Sequence, residues 1–466
     1  MLACKTCMML QDHHLVGNHM KDAPAREIVR LAWPVLIAQL ALIGNSVIDT
    51  AMAGRLTPVD LASVGIGASI LVTVLMSLLS VLFALPPMIA HLYGANRSGE
   101  IGHELQQSLW ISLFIAIAAI VLLEHPAPFI AVSDLQPEVE AKVRAYLAAS
   151  AWEVPPTIAL RLFFGLSTGI GHPRPVMVTN LAALLMKVPL NYVFMFGLAG
   201  MPRLSGPGCA VATAIDAWLV ALVAWHWCLN HAGFEVFGLK SRIGKPDWKA
   251  ILAFLKLGIP IGLTFAADVT AFTFMALFIA RLGPVVSSAH QIAANLAAIA
   301  FMFPLSIGNA TSVLSGQALG AGAPERARRI AWRGIGIGMG VAIAISLTLW
   351  SCAPLIAALY TSHNEVQKIA IPLIVLVGFY HLADALQAVA VNALRGYKKS
   401  GVPMLIYTVS LWGLGIGGGI LLGLTDAFGS ALGAPGFWIA AIASLWVVAI
   451  LVSLYLDWVS RHWMRR

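Results

Sequence analysis

The sequence predicts an all-α polytopic membrane protein of twelve transmembrane helices, arranged as two six-helix lobes related by a parallel pseudo-twofold repeat. Three observations predict it. Hydrophobic residues fill 59% of the 466 positions and charged residues 11%, with a mean hydropathy of +0.84. That leaves too little polar surface to coat a soluble particle of 49.5 kDa. Long apolar runs alternate with Gly, Pro and charged punctuation along the chain. The punctuation itself repeats: Leu31-x-x-Pro34 returns as Leu257-x-x-Pro260, Arg55-Leu56-x-Pro58 as Arg281-Leu282-x-Pro284, and Gly94-Ala95 as Gly320-Ala321, each 226 residues later. Three sites held in register through prolines, glycines and a charge point to duplication, the plan on which many secondary transporters are built.

The spans follow in order. In the first half, apolar runs fall near 31–54, 61–92, 107–130, 143–170, 175–199 and 208–230. In the second they fall near 249–280, 285–318, 331–359, 366–394, 402–424 and 434–457. The first run begins near position 31, is too long for a cleavable signal and continues into membrane-length sequence, so it is expected to remain in the protein. The expected organisation is an N-terminal tail over 1–28, a first lobe over 29–232, a linker over 233–248, a second lobe over 249–458 and a basic tail over 459–466.

An even number of spans puts both termini on one side. On that side Lys and Arg number 20, gathered in the N-tail, at Arg97 and Arg174, and over 240–249, 326–333, 395–399 and 461–466. The opposite side has six: Arg55, Lys142, Arg144, Arg203, Arg281 and Lys368. The asymmetry predicts cytoplasmic termini in a bacterial-type inner membrane. It also explains the pI near 9.4 without a nucleic-acid partner, because the basic residues sit in short clusters between spans. With six spans in each half, the two copies share one topology, and a central cleft should separate them.

Five scattered cysteines suggest no disulfide framework. Cys4-x-x-Cys7 followed by His13, His14 and His19 has the residue types of a zinc site, but its spacing fits no standard finger, and an unstructured tail is expected. The chain contains no H-E-x-x-H, G-x-S-x-G or G-x-x-x-x-G-K-[ST]. A hydrolase or an ATP-driven pump in this polypeptide is therefore disfavoured, and no cofactor or obligate protein partner is implied.

The informative residues are charges inside apolar helices, where an ionised carboxylate costs roughly 2.5–3.5 kcal/mol at mid-bilayer. These are Asp49, Asp268 and Asp384, with Glu153 and Asp216 as weaker cases. Asp268 lies 13 residues before Arg281, and Asp384 11 residues before Arg395. At a helical rise of about 1.5 Å per residue, both come near the middle of a slab about 30 Å thick. Two carboxylates in one wet pocket can share a proton or be neutralised by one Na+; alternatively, packing satisfies each separately. Lys187, also near mid-depth, needs an anion, with Asp49 or Asp216 as the candidates. Pro34 removes a backbone hydrogen bond from the first span and permits bending there. His290, Gln291, Asn295, Tyr380, His381 and Gln387 could line a substrate path or simply bond helix to helix. Phe265, Phe272, Met275 and Met302 could stack on flat cations or simply pack.

Several runs carry a family resemblance: Val47-Ile48-Asp49-Thr50-Ala51-Met52-Ala53-Gly54-Arg55, Gly169-x-Gly-x-Pro-x-Pro175-Val-Met177, Pro189-Leu190-Asn191-Tyr192, and Ala393-Leu394-Arg395-Gly396-Tyr397-Lys398 with Pro403-Met404. Through these the chain, from about residue 25 onward, resembles the multidrug and toxic compound extrusion family of NorM type. The resemblance implies cation-coupled export of small organic cations by rocking of two six-helix lobes within membrane lipid. It implies that Asp49 belongs to a cation site in the first lobe, with Pro34, Lys187 and Asn191 as structural or switch residues. It further implies that Asp268 and Asp384 hold the coupling ion, Na+ or H+, in the second lobe. Two departures stand out: Asp268 replaces the usual Glu and is one methylene shorter, and Lys187 stands where relatives often have Asn. A flippase or exporter of one lipid-linked or metabolic substrate is the other transport reading.

Overall fold

The computed structural model describes residues 24–130, 136–198, 200–240, 244–427 and 429–465. Cys4, Cys7, His13, His14 and His19 lie outside them. Twelve helical spans follow the predicted order. The first half comprises α1 (Pro24–Ala53), α2 (Pro58–Gly94), α3 (Ser98–Glu124), α4 (137–169), α5 (Arg174–Phe196) and α6 (Gly208–Asn230). The second comprises α7 (Trp248–Ala280), α8 (Pro284–Gly320), α9 (Pro324–Tyr360), α10 (Asn364–Gly396), α11 (Gly401–Leu424) and α12 (Ala434–Met464).

Eleven of these are long and apolar enough to cross a membrane, α2 doing so through a 3-10 stretch at Ser80–Ala84. The exception is α4, expected as one run over 143–170 but formed as Pro137–Ala151 and Val154–Gly169. Pro155 and Pro156 have no N–H to offer the carbonyls of Ala151 and Trp152. The Trp152 carbonyl instead accepts from Trp218 Nε1 on α6 at 3.1 Å, so the break is stabilised by a neighbouring helix. Several helices also start earlier than the apolar pattern does. α9 begins at Pro324 rather than near 331, with Pro at its first turn and Glu325 facing the positive end of the helix dipole. Apolar periodicity marks the hydrocarbon, whereas backbone hydrogen bonding runs on into the headgroup region.

Two hydrophobic cores correspond to the two halves, with one exchange. The first gathers residues of α1 to α6 together with Ile251, Phe254, Leu257 and Ile261 of α7. The second gathers α7 to α12 together with Ile28 and Ala32 of α1. The opening helix of each half thus begins in the core of the other. This happens at the end of the molecule that carries the termini, and it ties the halves together there.

At the same end α2 and α8 cross at the repeated glycines. A Cβ on Gly94 would lie 2.0 Å from the Gln317 carbonyl oxygen, and one on Gly320 would lie 2.1 Å from that of His91. His91 and Gln317 are themselves 226 residues apart. The contact is therefore the same from both sides, as a pseudo-twofold axis through the crossing requires. Two side chains span the halves beside it. His91 Nε2 lies 2.7 Å from the Gly396 carbonyl at the end of α10, and Gln317 Nε2 donates to the Gly169 carbonyl at the end of α4 at 2.9 Å.

The connector between the halves is held along α3. Asp247 N donates to Gln107 Oε1 at 2.8 Å, and Trp110 Nε1 donates to the Gly244 carbonyl at 3.2 Å. Asp247 then caps α7 through the Lys249 N–H at 2.9 Å. At the far end of the first lobe, buried Asp60 accepts from Lys142 Nζ at 2.8 Å and from the Gly206 N–H at 3.0 Å, joining α2, α4 and the loop before α6.

Candidate functional site

In the second lobe, α7 and α11 present Asp268 and Tyr407 to each other, and the Tyr407 hydroxyl donates to Asp268 Oδ1 at 2.5 Å. Tyr407 lies just before a stretch of α11 that widens to π geometry over Leu411–Gly417, sequence LWGLGIG. Such insertions recur at functional sites because they rotate the side chains that follow them. On α10, Gln387 Nε2 donates to Asp384 Oδ1 at 3.0 Å. Asp268, Gln387 and Tyr407 line a cavity of about 40 Å³, together with Thr264, Phe265, Asn392 and Arg395. By volume it has room for roughly two or three waters.

Asp384 is not part of that lining, but it is joined to it through Gln387 and is near enough to Asp268 for the two carboxyl groups to interact electrostatically. Among the described residues neither acid makes an ion pair. The arrangement thus offers oxygen ligands and a place for one small cation, with hydrogen-bond donors able to follow a change in carboxyl charge. Of the residues expected on the substrate path, Gln387 and Phe265 line this cavity. Tyr380 packs edge-on to Phe272 and Trp438, with ring centroids 6.1 and 5.5 Å apart. Asn295 accepts from the Tyr360 hydroxyl at 2.8 Å, away from the cavity. His290 is buried against Trp438, Gln291 is exposed, and both ring nitrogens of buried His381 lack a hydrogen-bond partner. Met275 belongs to the apolar core.

In the first lobe the open choice of partner for Lys187 resolves to Asp49. Lys187 Nζ lies 2.9 Å from Asp49 Oδ2, and Asn191 Nδ2 donates to Asp49 Oδ1 at 2.8 Å. Lys187 also donates to Thr213 Oγ1 on α6. α5 places Lys187 and Asn191 one turn apart on the face toward α1. Glu153, at the break in α4, and Asp216 on α6 are close enough to interact electrostatically with this pair. Pro34 is buried on α1, which continues as helix through it.

Sequence reasoning passed over three groups. Arg395, expected in the basic cluster between spans, is only 6% exposed. It donates to Asn392 Oδ1 at 3.0 Å, and its guanidinium lies 5.6 Å from the Phe265 ring centroid. Phe265 in turn stacks on Phe83 of α2 at 5.3 Å, and the Arg161 guanidinium of α4 lies over the Phe83 ring at 4.8 Å. Two guanidiniums therefore clamp an aromatic pair drawn from both halves. Tyr407 is the third. It is a lone tyrosine in an apolar span ahead of a Gly-rich run, which is a weak signal without its partner.

The MatE family profile matches residues 34–193 and 260–421, two segments that begin 226 residues apart. The chain is 39% identical to the probable multidrug resistance protein NorM of Chromobacterium violaceum, over 95% of this chain and 96% of that protein. It is 34% identical to the multidrug resistance protein MdtK of Yersinia pestis, over 94% of this chain and 96% of the relative. Its fold is similar to that of the eukaryotic MATE transporter AtDTX14, with a TM-score of 0.85 and 18% identity, covering 95% of this chain and 98% of that one.

Proposed function

The chain belongs to the MatE family, and on that premise we propose that this multidrug efflux transporter expels hydrophobic and cationic organic compounds in exchange for an inward-moving Na+ or H+. Asp268 and Asp384 are the exchange site. One observation carries the reading: Asp268 of α7 lines a small polar cavity inside the membrane, Gln387 of the same lining holds Asp384 of α10, and neither carboxylate has an ion-pair partner among the described residues. A charge held there is expensive unless it has work to do. A coupling cation neutralises the pair, and a cationic substrate competes for the same negative charge.

The excess of Lys and Arg supports placing the termini in the cytoplasm of a cell with a bacterial-type inner membrane. The α2–α8 crossing then lies on the cytoplasmic side, where it closes the lobes, taken as 29–232 and 249–458, against each other, and the lobes rock between this state and one open at that side. Exchange requires the crossing to open when the site is reloaded from within.

The test uses everted membrane vesicles carrying the protein and a fluorescent organic cation, with an imposed pH gradient and, separately, an imposed Na+ gradient. The reading expects one gradient to drive uptake in wild type and to fail in Asp268→Asn and Asp384→Asn at equal protein level. Uptake driven by neither gradient, or undiminished in both variants, contradicts it. A panel of chemically unrelated substrates separates broad export from flipping of one lipid-linked compound.

A further inference from the structure

In the first lobe, the oxygens that a small hard cation would use are already taken. The Lys187 ammonium is 1% exposed. It meets Asp49 Oδ2 at 2.9 Å, Thr213 Oγ1 and, at 3.4 Å, the Cys209 carbonyl oxygen. A carboxylate, a hydroxyl and a backbone carbonyl are the ligand types of a hard cation. The Thr213 hydroxyl donates its own proton to the Cys209 carbonyl at 2.7 Å, so it turns a lone pair toward the ammonium. Asn191 holds the remaining Asp49 oxygen. The second lobe differs, because among the described residues Asp268 and Asp384 meet only the neutral donors Tyr407 and Gln387.

The resemblance implies a mobile cation at Asp49, and the residues present do not fit one. We propose that Lys187 is a tethered counter-cation, fixed by its own side chain where an exchangeable ion would otherwise sit, so that cation exchange is confined to the second lobe. The first half of this statement concerns cation binding alone. Only its second half rests on the function proposed above.

A second observation agrees with it. Among the described residues Asp216 Oδ1 has no hydrogen-bond partner, and Asp216 and the buried Glu153 both lie within electrostatic range of Lys187. One carboxylate thus contacts the ammonium and two more feel its charge, and a cation that could dissociate would leave the group without a counter-charge in the membrane interior.

Binding is read as the melting temperature of the purified full-length chain in NaCl against choline chloride at equal ionic strength. All proteins carry Asp268→Asn and Asp384→Asn, so the outcome does not depend on whether the second lobe couples transport. With Lys187 present, no sodium-dependent stabilisation is expected, with or without Asp49→Asn. Lys187→Met should uncover the oxygen cage and give a stabilisation of several degrees once Na+ is in large excess over its Kd, and adding Asp49→Asn should remove it. If the Lys187→Met protein folds in NaCl and fails to fold in choline chloride, the same gain has been seen at its limit. Three results overturn the proposal: a sodium response that needs Asp49 while Lys187 is still in place, a folded Lys187→Met protein that ignores Na+, or failure to fold in both salts.

Discussion

Gly320→Ala places a methyl group at the crossing of α2 and α8, and its effect can be worked from the geometry. The added Cβ would sit 2.1 Å from the His91 carbonyl oxygen, 2.9 Å from that carbonyl carbon and 3.0 Å from the Ala95 nitrogen. All three are backbone atoms, so no rotamer change relieves the overlap. The two helices must separate by about 1 Å to restore van der Waals contact. Overpacking of this kind costs about 1–3 kcal/mol. The strain exists only while the halves are closed at this end, so it acts as a bias on the conformational equilibrium. The closed-to-open ratio should fall by about 5- to 150-fold. The assay is spin-label distance measurement between the ends of α2 and α8, alongside dye efflux at matched expression. The prediction is a population with longer distances and a clear loss of efflux. Gly94→Ala, which meets the Gln317 carbonyl at 2.0 Å, should behave alike because the two sites are related by the repeat. Unchanged distances and efflux in both variants would refute the pseudo-symmetric closure.

Three further outcomes follow from the same geometry. Tyr407→Phe removes the hydroxyl that donates to Asp268. A hydrogen bond to a charged group contributes about 1.5–3 kcal/mol, so the apparent affinity for the coupling ion should change by about tenfold or more in ion-titrated vesicle uptake; no change removes Tyr407 from the site. In sodium-free buffer Lys187→Ala strands Asp49 and should cost about 3–5 kcal/mol, seen as loss of folded protein on size-exclusion chromatography, with partial recovery in Lys187→Ala/Asp49→Ala. Absence of recovery contradicts the ion pair. At the start of α7, the backbone N–H of Lys249, helped by Ala250 and His103, holds the Asp247 carboxyl below its ordinary value. Its capping contribution is therefore complete above the ordinary carboxyl value near 3.9 and is lost as pH falls through the lowered value. Hydrogen-exchange protection across 244–250, corrected for the intrinsic rate at each pH, should fall only on acidification in wild type and be reduced at every pH in Asp247→Ala.

Twelve spans and a repeat were legible because both leave marks on single residues. Apolar runs end at Gly, Pro and charge, and the Gly94/Gly320 pair keeps its spacing because a backbone must pass there. The pairing of Asp49 with Lys187 was legible as one of two options, since a mid-membrane ammonium needs an anion but spacing alone does not choose between α1 and α6. The break in α4 was hidden because Pro155 and Pro156 sit inside an otherwise apolar run, and the carbonyl they free is met by Trp218, 66 residues away. Arg395 was misplaced for a similar reason. It stands one residue from the end of α10, yet Asn392 and Phe265 hold it within the protein. Tyr407 and Arg161 acquire meaning only from Asp268 and Phe83, which the chain brings to them from far away.

The central claim is that a cationic substrate and a coupling ion compete for Asp268 and Asp384. Its most direct test is cation release on substrate binding by the purified protein, read with a pH indicator in weakly buffered solution and with a sodium indicator in parallel. Wild type should release H+ or Na+ as an organic cation binds, and Asp268→Asn/Asp384→Asn should release neither. Equal release from the double variant, or saturating substrate binding to wild type with no release of either ion, would contradict the account.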